Sequence, residues 1–184
     1  IIKGKDHADG RAVAAAVLLD RRDEATIIID MGGGWGGTVA SHLEDNGIES
    51  VAFNGQKTSS ASDVLGQLGF VNQRAEIYWR LREAMDPTQS NGAKIAIPDD
   101  QDLLSELSAI KFDIIRYDRR MCVQIESKDK IRKILGRSPD RADAVAMAWW
   151  RGQKNLTTNG KFTGVKHKKA IKVNRGYDKR KRRK

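Results

Sequence analysis

Two short stretches concentrate the side chains that can do chemistry. In Ser138-Pro139-Asp140-Arg141-Ala142-Asp143-Ala144, two carboxylates lie three residues apart, a spacing that lets both leave one face of a helix. Ser138 is a good N-cap and Pro139 suits the first helical position, which puts both acids in the opening turn. Acids there favour the helix dipole even without a further role. The second stretch is Thr26-Ile27-Ile28-Ile29-Asp30, followed closely by Gly32-Gly33-Gly34-Trp35-Gly36-Gly37. An apolar, β-branched run ending in an acid reads as a central buried strand with Asp30 at its carboxyl end. Open α/β sheets place their ligands there. The glycines let backbone or ligand approach closely.

Together Asp30 and Asp143 describe a metal site made of carboxylates alone, and oxygen donors favour Mg²⁺ or Mn²⁺ over zinc. The three histidines, His7, His42 and His167, are scattered and read as surface residues, and no Cys–His cluster or nucleophile elbow occurs. Carboxylates that hold divalent ions beside a polyanion suit two-metal phosphodiester hydrolysis, one ion activating water and the other stabilising the leaving oxygen. A rival reading takes Gly32, Gly34 and Gly37 as a G-x-G-x-x-G dinucleotide fingerprint. It is disfavoured because Asp30 precedes the first glycine by two residues and no acid ends the next strand, where Phe53 is followed by Asn54 and Gly55.

The net charge of +10 is distributed unevenly over the 184 residues. Residues 165–184 hold eleven Lys or Arg against one acid, Asp178, and the rest of the chain has as many acids as bases. The run Lys179-Arg180-Lys181-Arg182-Arg183-Lys184 fits nonspecific binding to nucleic-acid phosphates, and equally a solvated terminus. One cysteine, Cys122, excludes an internal disulfide framework and suits a reducing compartment. It is expected to be buried and inert. No apolar run is long enough for a membrane span, and residues 1–6 lack the apolar stretch of a secretory signal.

Periodicity supplies the elements that must position these residues. Helices are expected at 10–22, 38–46 (stopped by Gly47), 72–85 and 99–107, at 127–135 (closed by Gly136), and from Ser138 to about Trp150. Strands are expected at 26–30 and 50–53, with a short strand or extended piece at 94–98 and a hairpin of 113–117 with 121–125. Residues 54–70 read as a loop. The alternation of helix and strand argues for an α/β sheet with parallel neighbours. Trp79, Trp149 and Trp150 read as core or interface, Trp35 as a residue that packs on the sheet or touches DNA, and Arg74 and Glu76 as a surface pair or part of a DNA-facing side.

Five pieces of the chain, in this order, resemble the C-terminal nuclease domain of the large terminase subunit of tailed phages. They are Ile29-Asp30-Met31-Gly32-Gly33-Gly34-Trp35-Gly36, Asn72-Gln73-Arg74-Ala75-Glu76-Ile77-Tyr78-Trp79, Ile97-Pro98-Asp99-Asp100, Ile125-Glu126-Ser127-Lys128-Asp129 and the segment around Asp143. The resemblance covers about residues 10–150. It implies an RNase H-like mixed sheet flanked by helices, a Mg²⁺- or Mn²⁺-dependent endonuclease that cuts concatemeric viral DNA, and location in the host cell cytoplasm. It further implies double-stranded DNA, the portal protein, the small terminase subunit and an ATPase domain as partners. Asp30 and Asp143 match two of the family's three acidic ligands, with Asp140 as an accessory ligand or orienting group. Lys128 would touch a phosphate or pair with an acid of the site. The third acid belongs on a first strand that has no counterpart before residue 10, since Asp6 and Asp9 read better as helix caps. On this reading the chain is N-terminally truncated, with residues 1–152 a partial nuclease domain and 153–184 a basic, disordered tail. Two other readings are a noncatalytic nucleic-acid-binding or docking module, such as a decayed prophage remnant, and a nuclease like the Holliday-junction resolvases. Deleting residues 165–184 is expected to remove most DNA retention and to flatten the slope of log K against log salt, by roughly 0.9 for each phosphate no longer neutralised, as measured by salt-dependent anisotropy titration.

Overall fold

The computed structural model describes residues 9–157 apart from 23, 35 and 89–92. The fold is mixed α/β. In chain order it runs α1 (Gly10–Asp20), β1 (Ile27–Asp30), a 3-10 turn (Met31–Gly33), α2 (Gly36–Asp45), β2 (Ser50–Phe53), β3 (Gly69–Phe70), α3 (Gln73–Met85), α4 (Gln101–Ala109), β4 (Phe112–Tyr117), β5 (Arg120–Ile125), α5 (Lys128–Leu135) and α6 (Asp140–Thr157).

Strands β1 and β2 pair in parallel, with Ile28 opposite Val51 and Asp30 opposite Phe53. Side chains alternate faces along a strand. Ile27 and Ile29 therefore pack with Ala14, Val39 and Leu43 of α1 and α2, while Ile28 and Val51 pack on the opposite side against α3 and α6. The same alternation turns Asp30, two residues beyond Ile28, toward α3 and α6. Helix α3 lies in the middle of the molecule. Ile77, Tyr78 and Leu81 join Phe53, Leu103, Ala142, Ala146 and Trp150 in the largest core, where Phe53 and Trp150 meet edge to face at 5.2 Å. The other side of α3 buries Ala75 and Trp79 against Phe70 and Val123 of the second sheet.

That second sheet has the order β3-β5-β4, with β3 parallel and β4 antiparallel to β5. The expected hairpin is present and turns through Asp118 and Arg119, both at positive φ. The separation into a two-stranded and a three-stranded sheet differs from the single sheet expected, and β3 emerges inside what read as a loop. At two residues, β3 is too short to leave a period-2 signal. Residues 94–98 form no strand, although Ile95 and Ile97 pack on the main core. Helix α6 continues beyond Trp150, and beyond the expected boundary at 152, to Thr157. The apolar stripe ends at Trp150, but a helix needs no apolar face to continue.

Helices α4 and α6 are joined by ionic contacts that the sequence reading did not anticipate. Arg141 pairs with Asp100 and with Asp102, at 2.8 Å from the latter. Arg137 pairs with Asp102 and with Glu106. The Glu106 side chain is 0 % exposed and its Oε2 accepts the backbone N–H of Ala142 at 2.9 Å. The orphan donor at the start of α6 is thus satisfied by an acid from another helix, where Ser138 had been expected to serve. The Pro139 carbonyl accepts the first helical bond, from Asp143 N–H at 2.9 Å, which makes Pro139 the residue before the helix.

Two outcomes follow. Glu106→Ala strips the buried Ala142 N–H of its acceptor and Arg137 of one of its two, and should destabilise the fold by about 3 kcal/mol in denaturant unfolding, with Glu106→Gln costing less. The Asp100 carboxyl is held below its ordinary value of 3.8 by the Leu103 N–H it caps, burial opposing and Arg141 assisting. The native state therefore binds that proton less well than the unfolded chain. Its contribution is complete above 3.8 and is lost as pH falls through the lower native value. Asp100→Asn should show a shallower loss of stability than the parent chain below that pH.

Candidate active site

Asp30, Asp143 and Lys128 converge on one cleft of about 210 Å³, whose wall also includes Asn54, Gly55, Gln56, Arg74, Arg132 and Met147. Each is delivered by a separate local device. Asp30 ends β1 and caps the 3-10 turn, its Oδ1 accepting the Gly32 N–H at 2.9 Å. Capping occupies one carboxylate oxygen, and the other, Oδ2, faces Lys128. Gly36 makes this corner possible, since a Cβ there would sit 2.5 Å from the Asp30 carbonyl oxygen.

Asp143 lies beside the buried stripe of Ala142, Ala146 and Trp150, and its side chain is 13 % exposed. A carboxylate this enclosed must be compensated. Tyr78 donates its O–H to Asp143 Oδ1, and the Arg74 Nε lies 3.9 Å from the same oxygen. Arg74 is steadied by donating from Nη1 to the Glu126 carbonyl at 2.7 Å and by lying over the Tyr78 ring at 5.3 Å. The Tyr78 hydroxyl is pushed far above the ordinary tyrosine range, first by burial, then by the charge of Asp143 and their hydrogen bond, with Arg74 acting the other way. It remains a neutral donor across the physiological pH range.

Lys128 opens α5, whose N-cap is Ser127 and whose inner face is anchored by the fully buried Ile131. Its Nζ stands 2.8 Å from Asp143 Oδ2 and 3.9 Å from Asp30 Oδ2. One turn later on the same helix, Arg132 adds a second cation to the wall. The cleft thus combines two carboxylates with three cationic side chains.

Asp140 stands apart from Asp30 and Asp143. It is exposed, one turn closer to the start of α6, and does not line the cleft. The i, i+3 spacing put it near Asp143 but could not say where the cleft wall ends. Arg74 and Glu76 do not form a pair: Arg74 enters the cleft, while Glu76 is buried, accepts the Ser59 hydroxyl at 2.7 Å and pairs with Arg80. Trp79 and Trp150 are core residues, Trp149 packs beside them, and Cys122 is buried and free. His42 pairs with Asp45 on α2. The basic run 179–184, Trp35, Asp6, His7 and His167 lie outside the described residues.

Tyr78, Glu106 and the role of Arg74 beside Asp143 escaped the sequence reading, which had placed Arg74 in a surface pair or on a DNA-facing side. Arg74 and Tyr78 stand four apart on α3, a signal that both reach one spot, but their target lies on another helix. Glu106, an acid on the buried face of α4, is a mark of required compensation that periodicity alone reads past. Among the described residues no helix is long and apolar enough to cross a membrane. No protein-family model, curated protein or solved structure matches this chain.

Tyr78→Phe removes the hydroxyl that donates to Asp143 Oδ1. It should cost about 1 kcal/mol in denaturant unfolding, because Arg74 and Lys128 still compensate the carboxylate.

Proposed function

We propose that this chain is a metal-dependent DNA endonuclease domain of a viral DNA-packaging terminase, RNase H-like in its core, that hydrolyses phosphodiesters in concatemeric genome DNA. The observation that carries the reading is the meeting of Asp30 and Asp143, remote in sequence, in a cleft whose other charged side chains are the cations Arg74, Lys128 and Arg132. Double-stranded DNA is the proposed substrate, and the portal protein, small terminase subunit and an ATPase domain are the proposed partners, in the host cytoplasm.

The donors suit one hard dication. Two carboxylates from different elements are what Mg²⁺ or Mn²⁺ takes from protein, water and phosphate oxygens completing the shell. The Lys128 ammonium stands between the same two carboxylates, a positive charge in the place where such an ion belongs. Among the described residues no group of three or more acidic, His or Cys side chains assembles, so a second ion would need a further carboxylate. When bound, the ion would supply Lewis acidity to water and to the leaving oxygen.

The chain's own residues have distinct tasks in this reading. Asp30 and Asp143 hold the cation. Tyr78 and Arg74 fix the Asp143 carboxylate through Oδ1 and so leave Oδ2 facing Lys128. Arg132 and Lys128 attract the DNA backbone, and the tail adds sequence-independent affinity.

Supercoiled plasmid incubated with the full chain and Mn²⁺ should be nicked or linearised, and chelation should stop it. Asp30→Ala and Asp143→Ala should each abolish cleavage, while Asp140→Ala should leave most of it. Cleavage that survives both of the first two changes would overturn the assignment.

A further inference from the structure

We infer that Lys128 is a built-in counter-cation that holds the Asp30–Asp143 pair together without metal and must leave before a divalent ion can bind. This rests on the metal reading of that pair and assigns the residue that sets its affinity.

The geometry supports a position shared between both acids. Lys128 Nζ is within ion-pair distance of Asp143 Oδ2 and of Asp30 Oδ2. Without it, two carboxylates would face one cleft with no cation between them, since Arg74 reaches only the far oxygen of Asp143. A dication held by those same oxygens would meet the ammonium at close range, and like charges there repel strongly in a partly enclosed site. The two cannot share the position.

Lys128 is built to yield. Its side chain is 36 % exposed, so a path to solvent exists. It is the first residue of α5, and the helix is anchored further on by Ile131, so the side chain can swing without moving its backbone. A lysine has a four-carbon flexible stem and no fixed fork, and at 36 % against 11 % its side chain is more exposed than that of Arg74, the other cation beside Asp143. Arg74 is the contrast. Its guanidinium is largely buried and donates to a backbone carbonyl, so it stays to orient Asp143 when Lys128 departs. Arg132, one turn further along α5, lines the same cleft, so the displaced ammonium would stay on a helix that carries a second cation. Lys128 thus compensates the two carboxylates of the empty site and sets a threshold that a metal ion must pass.

The test is Mn²⁺ binding to the full chain, followed by the electron paramagnetic resonance signal of free Mn²⁺, for the parent, Lys128→Met, Lys128→Gln, Lys128→Arg and Asp30→Asn. Lys128→Met and Lys128→Gln should bind Mn²⁺ at least about tenfold more tightly than the parent, and Lys128→Arg should not gain. Without metal the two neutral variants should melt lower than the parent, and saturating Mn²⁺ should narrow or reverse that gap. In the parent, Mg²⁺ should raise acylation of the Lys128 amine severalfold, read by peptide mass spectrometry, which needs no variant to fold. Equal or weaker Mn²⁺ binding by folded Lys128→Met and Lys128→Gln, or an amine whose reactivity ignores Mg²⁺ in a parent that binds it, overturns the inference and leaves the metal site standing. Mn²⁺ binding by Asp30→Asn equal to that of the parent overturns the metal site itself.

Discussion

A nearly buried carboxylate cannot stand alone, and the Asp143 side chain organises the molecule around that constraint. Its compensation comes from three directions: the Tyr78 hydroxyl and the Arg74 guanidinium from α3, and the Lys128 ammonium from α5. Each partner is held in turn. Arg74 is fixed by the Glu126 carbonyl at the junction of β5 and α5, and Lys128 by the Ser127 cap of its own helix. Three helices and a strand junction therefore agree on one point in space. Burial of polar groups in low dielectric makes such agreement costly to lose and specific when complete.

The start of α6 shows how that point is located. Apolar contacts of Ala142, Ala146 and Trp150 draw α6 onto α3 and β2, but hydrophobic burial is nondirectional and would tolerate a slide along the axis. Glu106 prevents it, because its carboxylate takes one particular N–H of the first turn and one particular arginine. Arg141, next to Ala142, reaches the N-cap acid of α4. The segment that carries Asp143 thus uses its own arginines as clamps, and one turn of helix serves both to dock and to present the acid. Asp140 sits on this same turn yet is left exposed, which separates proximity in sequence from membership of the site.

Much of the frame is visible in one dimension. The run of isoleucines before Asp30 specifies a strand, and alternation fixes which face of it Asp30 shares with Ile28. The helices and the hairpin at Asp118 and Arg119 follow from periodicity and turn chemistry, and Ser127 and Gly136 mark the ends of α5 as read. Less visible is whatever depends on a partner outside the local window. The two-residue strand β3 exists because β5 offers it hydrogen bonds, whereas residues 94–98 join no strand and the Lys94 N–H donates instead to the Ala84 carbonyl of α3. The mixed α/β class was legible, and the division into two sheets was not.

By itself the sequence determined that Asp30 ends a strand, that Asp143 opens a helix, that Lys128 opens another, and that positive charge gathers in the last twenty or so residues. These are consequences of local pattern, period 2 or 3.6, and of composition. Only the tertiary structure decided that the three meet in one cleft, that Tyr78 and Arg74 belong with them, that Glu106 caps α6, and that Asp140 stays outside. The physical reason is that a buried charge selects its partners by distance and solvent exclusion. Both are properties of how elements pack together, and neither is written in the spacing of residues along one element.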